Sequence, residues 1–268
     1  MEKWGIIKVF KLIAGTCVVE NEEITMRTAT RLKEITDNLD IELIYKGSFD
    51  KANRTSHKAE RGMGGMYPAL KVLDKVKCDL GLKILTDVHE TYQVPEVAEV
   101  VDIIQIPALL SRQTDLIYAA ARTGKIVNIK KGQFMSAYDS TYAISKAGLI
   151  TGDDRSKVWI TERGTTFGYN NLIVDMRSLE SLKKTGCDVI FDASHSVQTP
   201  STGVFESGGK PEFIAPLARA AIAVGVDGIF IETHPKPWEA LSDGASSLPL
   251  DEMEDLLITL KRIHEAAH

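Results

Sequence analysis

The chain has 268 residues, of which 44% are hydrophobic and 26% are charged, proportions that are typical of a globular protein with a sizeable core. Its formal net charge of -5 argues against a general affinity for nucleic acids or acidic membranes, so a local basic cluster indicates a small anionic ligand. Three cysteines without framework spacing, no signal-peptide pattern and no apolar run of membrane-spanning length predict a cytoplasmic protein without disulfide bonds.

Apolar, β-branched runs alternate along the chain with stretches of helical periodicity. The first helical stretch, for example, places Ile24, Ala29, Leu32 and Ile35 on one face. The predicted strands span residues 9–14, 41–45, 83–85, 102–106, 126–129, 158–161, 188–191 and 228–231. The predicted helices span residues 22–38, 67–78, 92–100, 112–122, 140–148, 174–185, 211–224 and 250–267.

Eight strands that alternate with eight helices, without a linker, predict a closed (β/α)8 TIM barrel that forms a single domain over residues 1–268. An open doubly wound sheet is the alternative, but no G-x-G-x-x-G motif follows the first strand and the chain has no G-x-x-x-x-G-K motif. Barrels bind their ligands where the carboxyl ends of the strands meet the loops. All eight predicted strand ends carry residues of chemical use, namely Cys17, Lys46, Asp87, Gln105, Lys130, Arg163, His195 and Glu232. We interpret this end of the barrel as an active site.

The loop after the second strand reads K-G-S-F-D-K-A-N-R-T-S and contains three cations, Lys46, Lys51 and Arg54. Ammonium and guanidinium groups attract phosphate, while hydroxyl and amide groups direct hydrogen bonds to its oxygens. The hydroxyl and amide groups of this loop are those of Ser48, Asn53, Thr55 and Ser56. Together with Lys130 and Arg163, these cations are too many for one small phosphate. We therefore expect two phosphorylated ligands, or one phosphate and one ligand with both a phosphate and a carboxylate.

A metal site is predicted from the geometry of a closed barrel. Closure makes the seventh, eighth and first strands neighbours, so His195, Glu232 and Cys17 should converge, and Asp243 lies in a loop that can reach the same point. One thiolate, one imidazole and two carboxylates suit Zn²⁺, Fe²⁺, Mn²⁺ or Co²⁺. The alternative is that Cys17 is a buried apolar side chain and His195 an ordinary loop residue.

Seven segments of the sequence occur in the order and form that characterise one enzyme family. They are K-A-N-R-T-S (51–56), T-D-V-H-E (86–90), Q-I-P-A-L-L-S-R-Q-T-D (105–115), N-I-K-K-G-Q-F (128–134), T-E-R-G-T-T-F-G-Y-N-N-L (161–172), F-D-A-S-H-S-V-Q (191–198) and I-E-T-H-P (231–235). On these segments the chain closely resembles the 3-deoxy-D-manno-octulosonate 8-phosphate synthases, from residue 12 to residue 250. Asn53 adds to the resemblance, because the related heptulosonate 7-phosphate synthases typically have Pro in the corresponding motif.

The resemblance implies an aldol-type condensation of phosphoenolpyruvate with D-arabinose 5-phosphate and water, which releases inorganic phosphate and serves the synthesis of lipopolysaccharide precursors. The catalytic residues that it implies are Lys46, Asn53, Asp87, His89 and Lys130. The residues that would hold phosphoenolpyruvate are Lys46, Lys51, Gln105, Lys130 and Arg163. Those that would hold arabinose 5-phosphate are Asn53, Arg54, Thr55 and Ser56, with Arg112 from a neighbouring subunit of a homotetramer.

Members of the family that need no metal have Asn where Cys17 stands. The resemblance therefore implies a metal-dependent enzyme with Cys17, His195, Glu232 and Asp243 as the ligands. The family usually has Gly-Pro-Cys near the first strand, whereas this chain has Thr16 before the cysteine. The missing proline removes a fixed backbone φ, so we expect Cys17 to be held less rigidly.

Several interpretations remain open at the level of sequence. The nearest alternative activity is that of a heptulosonate 7-phosphate synthase, which uses erythrose 4-phosphate. An alternative of another class is a non-catalytic sugar-phosphate sensor. Lys130 as the Schiff-base lysine of a class I aldolase is a third, although the resemblance points away from it. The glycine-rich loop at 196–209, whose segment 201–206 is particular to this chain, is interpreted either as a mobile lid or as a tolerated insertion.

Overall fold

A computed structural model describes residues 9–52, 60–166, 171–199 and 208–267 of the chain. Eight parallel strands follow one another around a barrel, and the first strand pairs with both the second and the eighth, which closes the sheet. The strands are β1 (Lys11–Gly15), β2 (Glu42–Lys46), β3 (Lys83–Asp87), β4 (Ile103–Ile106), β5 (Ile126–Lys130), β6 (Val158–Glu162), β7 (Asp188–Asp192) and β8 (Gly228–His234). Closure confirms the predicted (β/α)8 barrel and excludes the open sheet, while the single domain over 1–268 stays a prediction.

Helices connect the strands along the outside of the barrel. They are α1 (Glu22–Leu39), α2 (Met66–Leu80), α3 (Val94–Val100), α4 (Thr114–Arg122), α5 (Ala137–Thr151), α6 (Met176–Lys183), α7 (Ile214–Val224) and α8 (Met253–Ala267). Helix α5 is longer than the sequence predicted, because Ser136 and Asp139 form a capping box at its amino end. Within the described ranges, no helix combines the length and apolar character needed to cross a membrane.

The predicted start of the fourth helix at Arg112 is wrong. A single 3-10 turn, Ala108–Leu110, follows Pro107, and the α-helix begins only at Thr114. The amide of Gln113 donates to the carbonyl oxygen of Leu110 at 2.9 Å, which closes this turn before the helix starts. Arg112 therefore lies in the connection between β4 and α4 rather than in the first turn of the helix.

The alternation of side chains along each strand explains where polar residues stand inside the barrel. An apolar layer of buried side chains fills the middle, consisting of Ile13, Ile44, Leu85, Ile103, Trp159, Ile190 and Phe230. Two residues further along six of these strands, on the same face, the inward side chain is polar. These six residues are Lys46, Asp87, Gln105, Thr161, Asp192 and Glu232. We call the carboxyl ends of the eight strands the mouth of the barrel and their amino ends the floor.

Two short antiparallel ladders were not predicted from the sequence. Thr165–Thr166 pairs with Leu172–Ile173 after β6, and Gln198–Thr199 pairs with Gly208–Gly209 after β7. The second ladder closes the base of the loop that the sequence left open between a lid and an insertion. The segment 201–206 lies outside the described residues, so neither interpretation of this loop is tested.

Candidate active site

Three predicted site residues lie where the barrel closes. Lys46 Nζ donates one hydrogen bond to Glu232 Oε1 and another to the carbonyl oxygen of Cys17, both at 2.8 Å. The side chains of Lys46 and Glu232 are only 2% and 1% exposed. Burial alone would raise the pKa of Glu232, but the ammonium groups of Lys46 and Lys51 lower it to about 2. Glu232 is therefore an anion at neutral pH, held by a buried cation.

The backbone at Cys17 is restrained from the neighbouring strand. Besides Lys46 Nζ, the amide of Ser48 donates to the carbonyl oxygen of Cys17, at 3.3 Å. Thr16 is fully buried, with its hydroxyl oxygen 3.4 Å from that of Tyr45. Gly15 permits this close approach, because a Cβ atom there would lie 2.0 Å from the carbonyl oxygen of Lys46. The sequence led us to expect that Cys17 would be held less rigidly, because the family's proline before it is missing. Contacts with β2 and with Ser48 nevertheless restrain the backbone at Cys17.

The four predicted metal ligands lie together at this corner of the mouth. Cys17 Sγ is 3.1 Å from Asp243 Oδ2, to which the thiol donates. His195 Nε2 is 3.5 Å from Glu232 Oε1 and 3.8 Å from Asp243 Oδ2. Burial raises the pKa of Cys17, and the charge of Asp243 raises it further. Asp243 has a backbone φ of 51°, a conformation that residues other than glycine rarely adopt and that often marks a functional site.

The donor atoms of these four side chains decide whether they fit a metal ion. As they stand, no three or more His, Cys, Asp or Glu side chains in the described ranges form a group that could hold a metal ion. The separations between their donor atoms are nevertheless comparable with those around a tetrahedral ion, about 3.3 to 3.8 Å for bonds of about 2.0 to 2.3 Å. In the described part of the chain, no donor reaches the buried Oε2 atom of Glu232. A thiol, an imidazole and two carboxylates, one with a spare oxygen, suit a divalent transition metal.

A second group joins the end of β3 to the loop after β2. Ser48 Oγ donates to Asp87 Oδ1, and His89 Nε2 lies 2.9 Å from Asp87 Oδ2. Lys51 Nζ donates in turn to Ser48 Oγ at 3.0 Å. Burial opposes ionisation of Asp87, but the hydrogen bond and charge of His89 hold its pKa well below the ordinary value. Asp87 is therefore an anion that holds both the imidazole and the lysine-bearing loop.

A third group lies at the ends of β5 and β7. Lys130 Nζ is 2.6 Å from Asp192 Oδ2, and His195 Nδ1 is 2.8 Å from the same oxygen. The ring of Phe230 lies beneath the lysine, with its centroid 4.1 Å from Nζ. Burial lowers the pKa of both Lys130 and His195. Asp192 is also buried, yet the charges of His195 and Lys130 keep its pKa well below the ordinary value.

Arg163 and Gln105 complete the mouth. Arg163 Nη2 donates to the carbonyl oxygen of His195 at 3.2 Å and to Gln198 Oε1 at 2.6 Å. No partner for its buried Nη1 atom exists among the residues that the structure describes. Gln105 Oε1 accepts a hydrogen bond from Asn128 Nδ2 at 3.2 Å, which leaves the amide nitrogen of Gln105 as a donor. Arg163 and Gln105 therefore both offer N–H groups that a bound anion can accept from.

Not all predicted site residues join these groups. Arg112 is exposed and lines a separate cavity of about 420 Å³ with Phe134, Tyr142 and Lys146. Four residues predicted to hold the sugar phosphate lie outside the described residues, and they are Asn53, Arg54, Thr55 and Ser56.

Three polar residues of the mouth hold other site residues, and the sequence did not predict these roles. Asp192 holds Lys130 and His195, Ser48 connects Lys51 to Asp87, and Gln198 holds Arg163. The signal for Asp192 was present in the sequence, because it follows the inward-facing Ile190 by two residues. Strand alternation places it inside the barrel. Ser48 and Gln198 lie in loops, where no periodic pattern indicates the direction of a side chain.

The closed barrel and the buried cations and carboxylates at its mouth define a (β/α)8-barrel enzyme with its active site at the carboxyl ends of the strands. The model of the DAHP synthetase I family matches residues 5–268, and the chain belongs to this family.

Curated relatives are similar over almost the whole chain. Over 265 residues, 98% of this chain and 93% of the relative, the sequence is 52% identical to the 2-dehydro-3-deoxyphosphooctonate aldolase of Paraburkholderia phymatum. Over 246 residues, 92% of this chain and 87% of the relative, it is 54% identical to a protein of the same name from Syntrophotalea carbinolica. A third protein of that name, from Burkholderia multivorans, is 52% identical over 265 residues.

Proposed function

We propose that this protein condenses phosphoenolpyruvate with D-arabinose 5-phosphate and water to give 3-deoxy-D-manno-octulosonate 8-phosphate and inorganic phosphate. A three-carbon and a five-carbon substrate give the eight-carbon acid that the name of the relatives describes. The observation that carries the proposal is the set of cations that converge on the mouth, Lys46, Lys51, Lys130 and Arg163. The reaction belongs to the synthesis of lipopolysaccharide precursors.

The cations of the mouth divide into two kinds. Lys46 and Lys130 are each held by a buried carboxylate, so they stand in fixed positions before a substrate arrives. Arg163 retains a buried N–H group for which the described residues supply no acceptor. We assign the phosphoenolpyruvate anion to the cations Lys46, Lys51, Lys130 and Arg163 and to the amide of Gln105. Fixed donors of this kind orient two reactants and need no rearrangement when the charge of the reaction develops.

The chemistry requires a new carbon–carbon bond and the loss of phosphate. Carbon 3 of the enol attacks the aldehyde carbon of the sugar, water adds at carbon 2, and the phosphate then leaves from carbon 2. Asp87 fixes His89 through Nε2, and we assign proton transfer at the reacting centre to this pair. Lys130 and Lys46 stabilise the negative charge of the substrates.

We extend the proposal to a divalent transition metal, Zn²⁺, Fe²⁺, Mn²⁺ or Co²⁺, held by Cys17, His195, Glu232 and Asp243. Support comes from the close approach of these four side chains and from the spare buried oxygen of Glu232. Such an ion would supply a positive charge that polarises the aldehyde or lowers the pKa of a water molecule. Thiolate sulfur favours a transition metal over Mg²⁺.

A homotetramer in the cytoplasm is the remaining part of the proposal. Arg112 lines a separate cavity beside exposed aromatic side chains, of which Phe134 and Tyr142 are 49% and 59% exposed. Such a surface is typical of a contact between subunits. We infer that Arg112 reaches the sugar phosphate of a neighbouring subunit. Sedimentation should show a tetramer, and a fully active monomer would contradict this part.

Incubation of the protein with phosphoenolpyruvate and one sugar phosphate at a time tests the activity. We expect phosphate release and an eight-carbon product with arabinose 5-phosphate, and little of either with erythrose 4-phosphate. The reverse preference would assign the protein to heptulosonate 7-phosphate synthesis. If neither sugar phosphate supports phosphate release while both still bind, the protein is a sensor rather than an enzyme.

A further inference from the structure

Asp192 is the last residue of β7, and it is fully buried inside the mouth. Its Oδ2 atom lies 2.6 Å from Lys130 Nζ and 2.8 Å from His195 Nδ1. Its Oδ1 atom accepts the backbone amide of His195 at 2.8 Å. One carboxylate therefore has three donors. One belongs to Lys130, which is assigned to phosphoenolpyruvate, and two belong to His195, which is assigned to the metal ion.

The short contact with Asp192 determines which nitrogen of His195 carries the proton. A carboxylate oxygen can only accept, so a separation of 2.8 Å from Nδ1 requires an N–H at that atom. The lone pair of the neutral ring is then on Nε2, which faces Glu232 and Asp243. A carboxylate that fixes the ring in this way is common behind histidines that bind metal ions.

The same oxygen determines the position of Lys130. The lysine side chain extends over the face of Phe230, where its charge is balanced by Asp192. His195 Nδ1 lies 3.2 Å from Lys130 Nζ, but a protonated Nδ1 cannot accept a hydrogen bond from the lysine. The ammonium group therefore depends on Asp192 Oδ2 for its place beside the histidine.

We propose that Asp192 is a positioning residue that couples the histidine of the metal site to the lysine of the phosphoenolpyruvate site. The inference rests on the proposed function, because that function supplies the two ligands. Asp192 touches neither ligand, and it acts through the tautomer of His195 and the place of Lys130. Its loss should therefore weaken both sites at once, although they lie on different strands.

Asp192→Asn is the test variant, because an amide has nearly the same shape but cannot satisfy the same donors. If the amide nitrogen takes the place of Oδ2, it faces Lys130 Nζ and His195 Nδ1–H. If it takes the place of Oδ1, it faces the backbone amide of His195. In either orientation the N–H donors of the amide face other N–H donors, so no rotamer restores the original hydrogen bonds.

The matched control is Asp188→Asn, four residues earlier on the same strand. Asp188 accepts a hydrogen bond from Lys11 at 2.8 Å at the floor of the barrel. Its substitution removes the same charge from β7 without touching the mouth. We expect this variant to bind both ligands as the wild type does.

The readouts are the affinity of the metal-free protein for Co²⁺ without substrate, and its affinity for phosphoenolpyruvate without metal. For Asp192→Asn we expect a loss of roughly 10- to 100-fold in Co²⁺ affinity and of about tenfold in phosphoenolpyruvate affinity. Wild-type affinities for both ligands in Asp192→Asn would overturn the proposal. Wild-type protein that fails to bind Co²⁺ would instead refute the metal part of the proposed function, and the phosphoenolpyruvate measurement would still decide whether Asp192 positions Lys130.

A measurement on the wild type keeps the inference testable if Asp192→Asn does not fold. In metal-free protein labelled with ¹⁵N-histidine, the neutral ring of His195 should carry its proton on Nδ1. Assignment of the signal by comparison with His195→Asn identifies the residue. A ring protonated on Nε2 instead would overturn the proposal.

Discussion

Two lysine–aspartate pairs lie at opposite ends of strand β7, and they differ in their surroundings. At the floor, Asp188 binds Lys11 at 2.8 Å and is 36% exposed. At the mouth, Asp192 binds Lys130 at 2.6 Å, is fully buried, and also binds His195. A pair whose carboxylate is partly exposed contributes less to stability than a fully buried one. A buried carboxylate with several donors cannot be removed without leaving those donors unpaired. One strand thus carries a pair of minor structural importance and a pair that organises the site.

The difference reflects how the barrel is filled. Between floor and mouth lies the apolar layer that includes Ile190 and Phe230, which gains stability from burial. Beyond it, the mouth buries charges at a cost in desolvation. Burial of these charges costs free energy, and the charges converge on one point. Ligand binding explains this arrangement better than stability does.

The largest effect is expected at Cys17, which tests whether the mouth depends on a metal. Cys17→Ala should lose the metal ion and reduce turnover by on the order of a thousandfold, because a metal contributes several kcal/mol to the transition state. The melting temperature should change little, since the removed side chain is small. Turnover and bound metal are measured on the same preparation.

Cys17→Asn sharpens this test, because it keeps a polar side chain and introduces the residue that the resemblance implies for metal-independent members of the family. A Cys17→Ala variant with wild-type turnover would show that the cysteine only packs. Recovery of turnover in Cys17→Asn without bound metal would show that the rest of the mouth is sufficient.

Arg112→Ala tests whether the active site needs a residue from a neighbouring subunit. The loss of a charge-assisted contact to phosphate should raise the KM for arabinose 5-phosphate about tenfold or more. The KM for phosphoenolpyruvate should change by less than about twofold, because its assigned ligands lie on the same chain. Arg122→Ala, at the other end of α4, is the control. Equal losses for both substrates would contradict the assignment of Arg112 to the sugar phosphate.

The pH dependence of stability should separate the mouth from the exposed surface. The pKa of Asp87 is lowered from its ordinary value of 3.8, so its contribution to stability is present above that pH and is lost as the pH falls below it. In metal-free protein, the difference in unfolding free energy between wild type and Asp87→Asn should therefore narrow below about pH 4. Denaturant unfolding at several pH values measures it, with the exposed Asp74→Asn as the control. If the difference in unfolding free energy between wild type and Asp87→Asn stays constant from pH 6 to pH 3, stability does not depend on the ionisation of Asp87 as we predict.

The smallest effect is expected at the floor. Asp188→Asn should cost about 1 kcal/mol of unfolding free energy, since the carboxylate of Asp188 is partly exposed to solvent. The KM of both substrates should remain within about twofold of the wild type. If Asp188→Asn raised the KM for phosphoenolpyruvate about tenfold, as large as the loss of affinity expected for Asp192→Asn, the two ends of β7 would not differ in function.

Much of the fold follows from the sequence because its signals are local. Strand alternation and helical periodicity predicted all eight strands, and the ends of those strands identified Lys46, Asp87, Gln105 and Glu232 as residues of the mouth. The start of α4 was placed wrongly, since a 3-10 turn satisfies the backbone before Thr114. A turn of this length has no periodicity of its own to detect.

Other features depend on distant parts of the chain. Cys17 lies beside Asp243, which is 226 residues away in sequence. The geometry of barrel closure predicted their approach, whereas the pairing of Lys46 with Glu232 was not foreseen. Lys46 was assigned to a substrate and Glu232 to a metal, and only their positions in space show that the two side chains bind each other.

The activity of metal-free wild-type protein tests the central claim most directly. The protein is treated with a strong chelator, shown to be free of metal by elemental analysis, and assayed with phosphoenolpyruvate and arabinose 5-phosphate for the eight-carbon product. We predict that product formation is lost without metal and is restored by Mn²⁺ or Co²⁺. Full activity of the metal-free protein would contradict the four-ligand site and leave Cys17 as a packing residue.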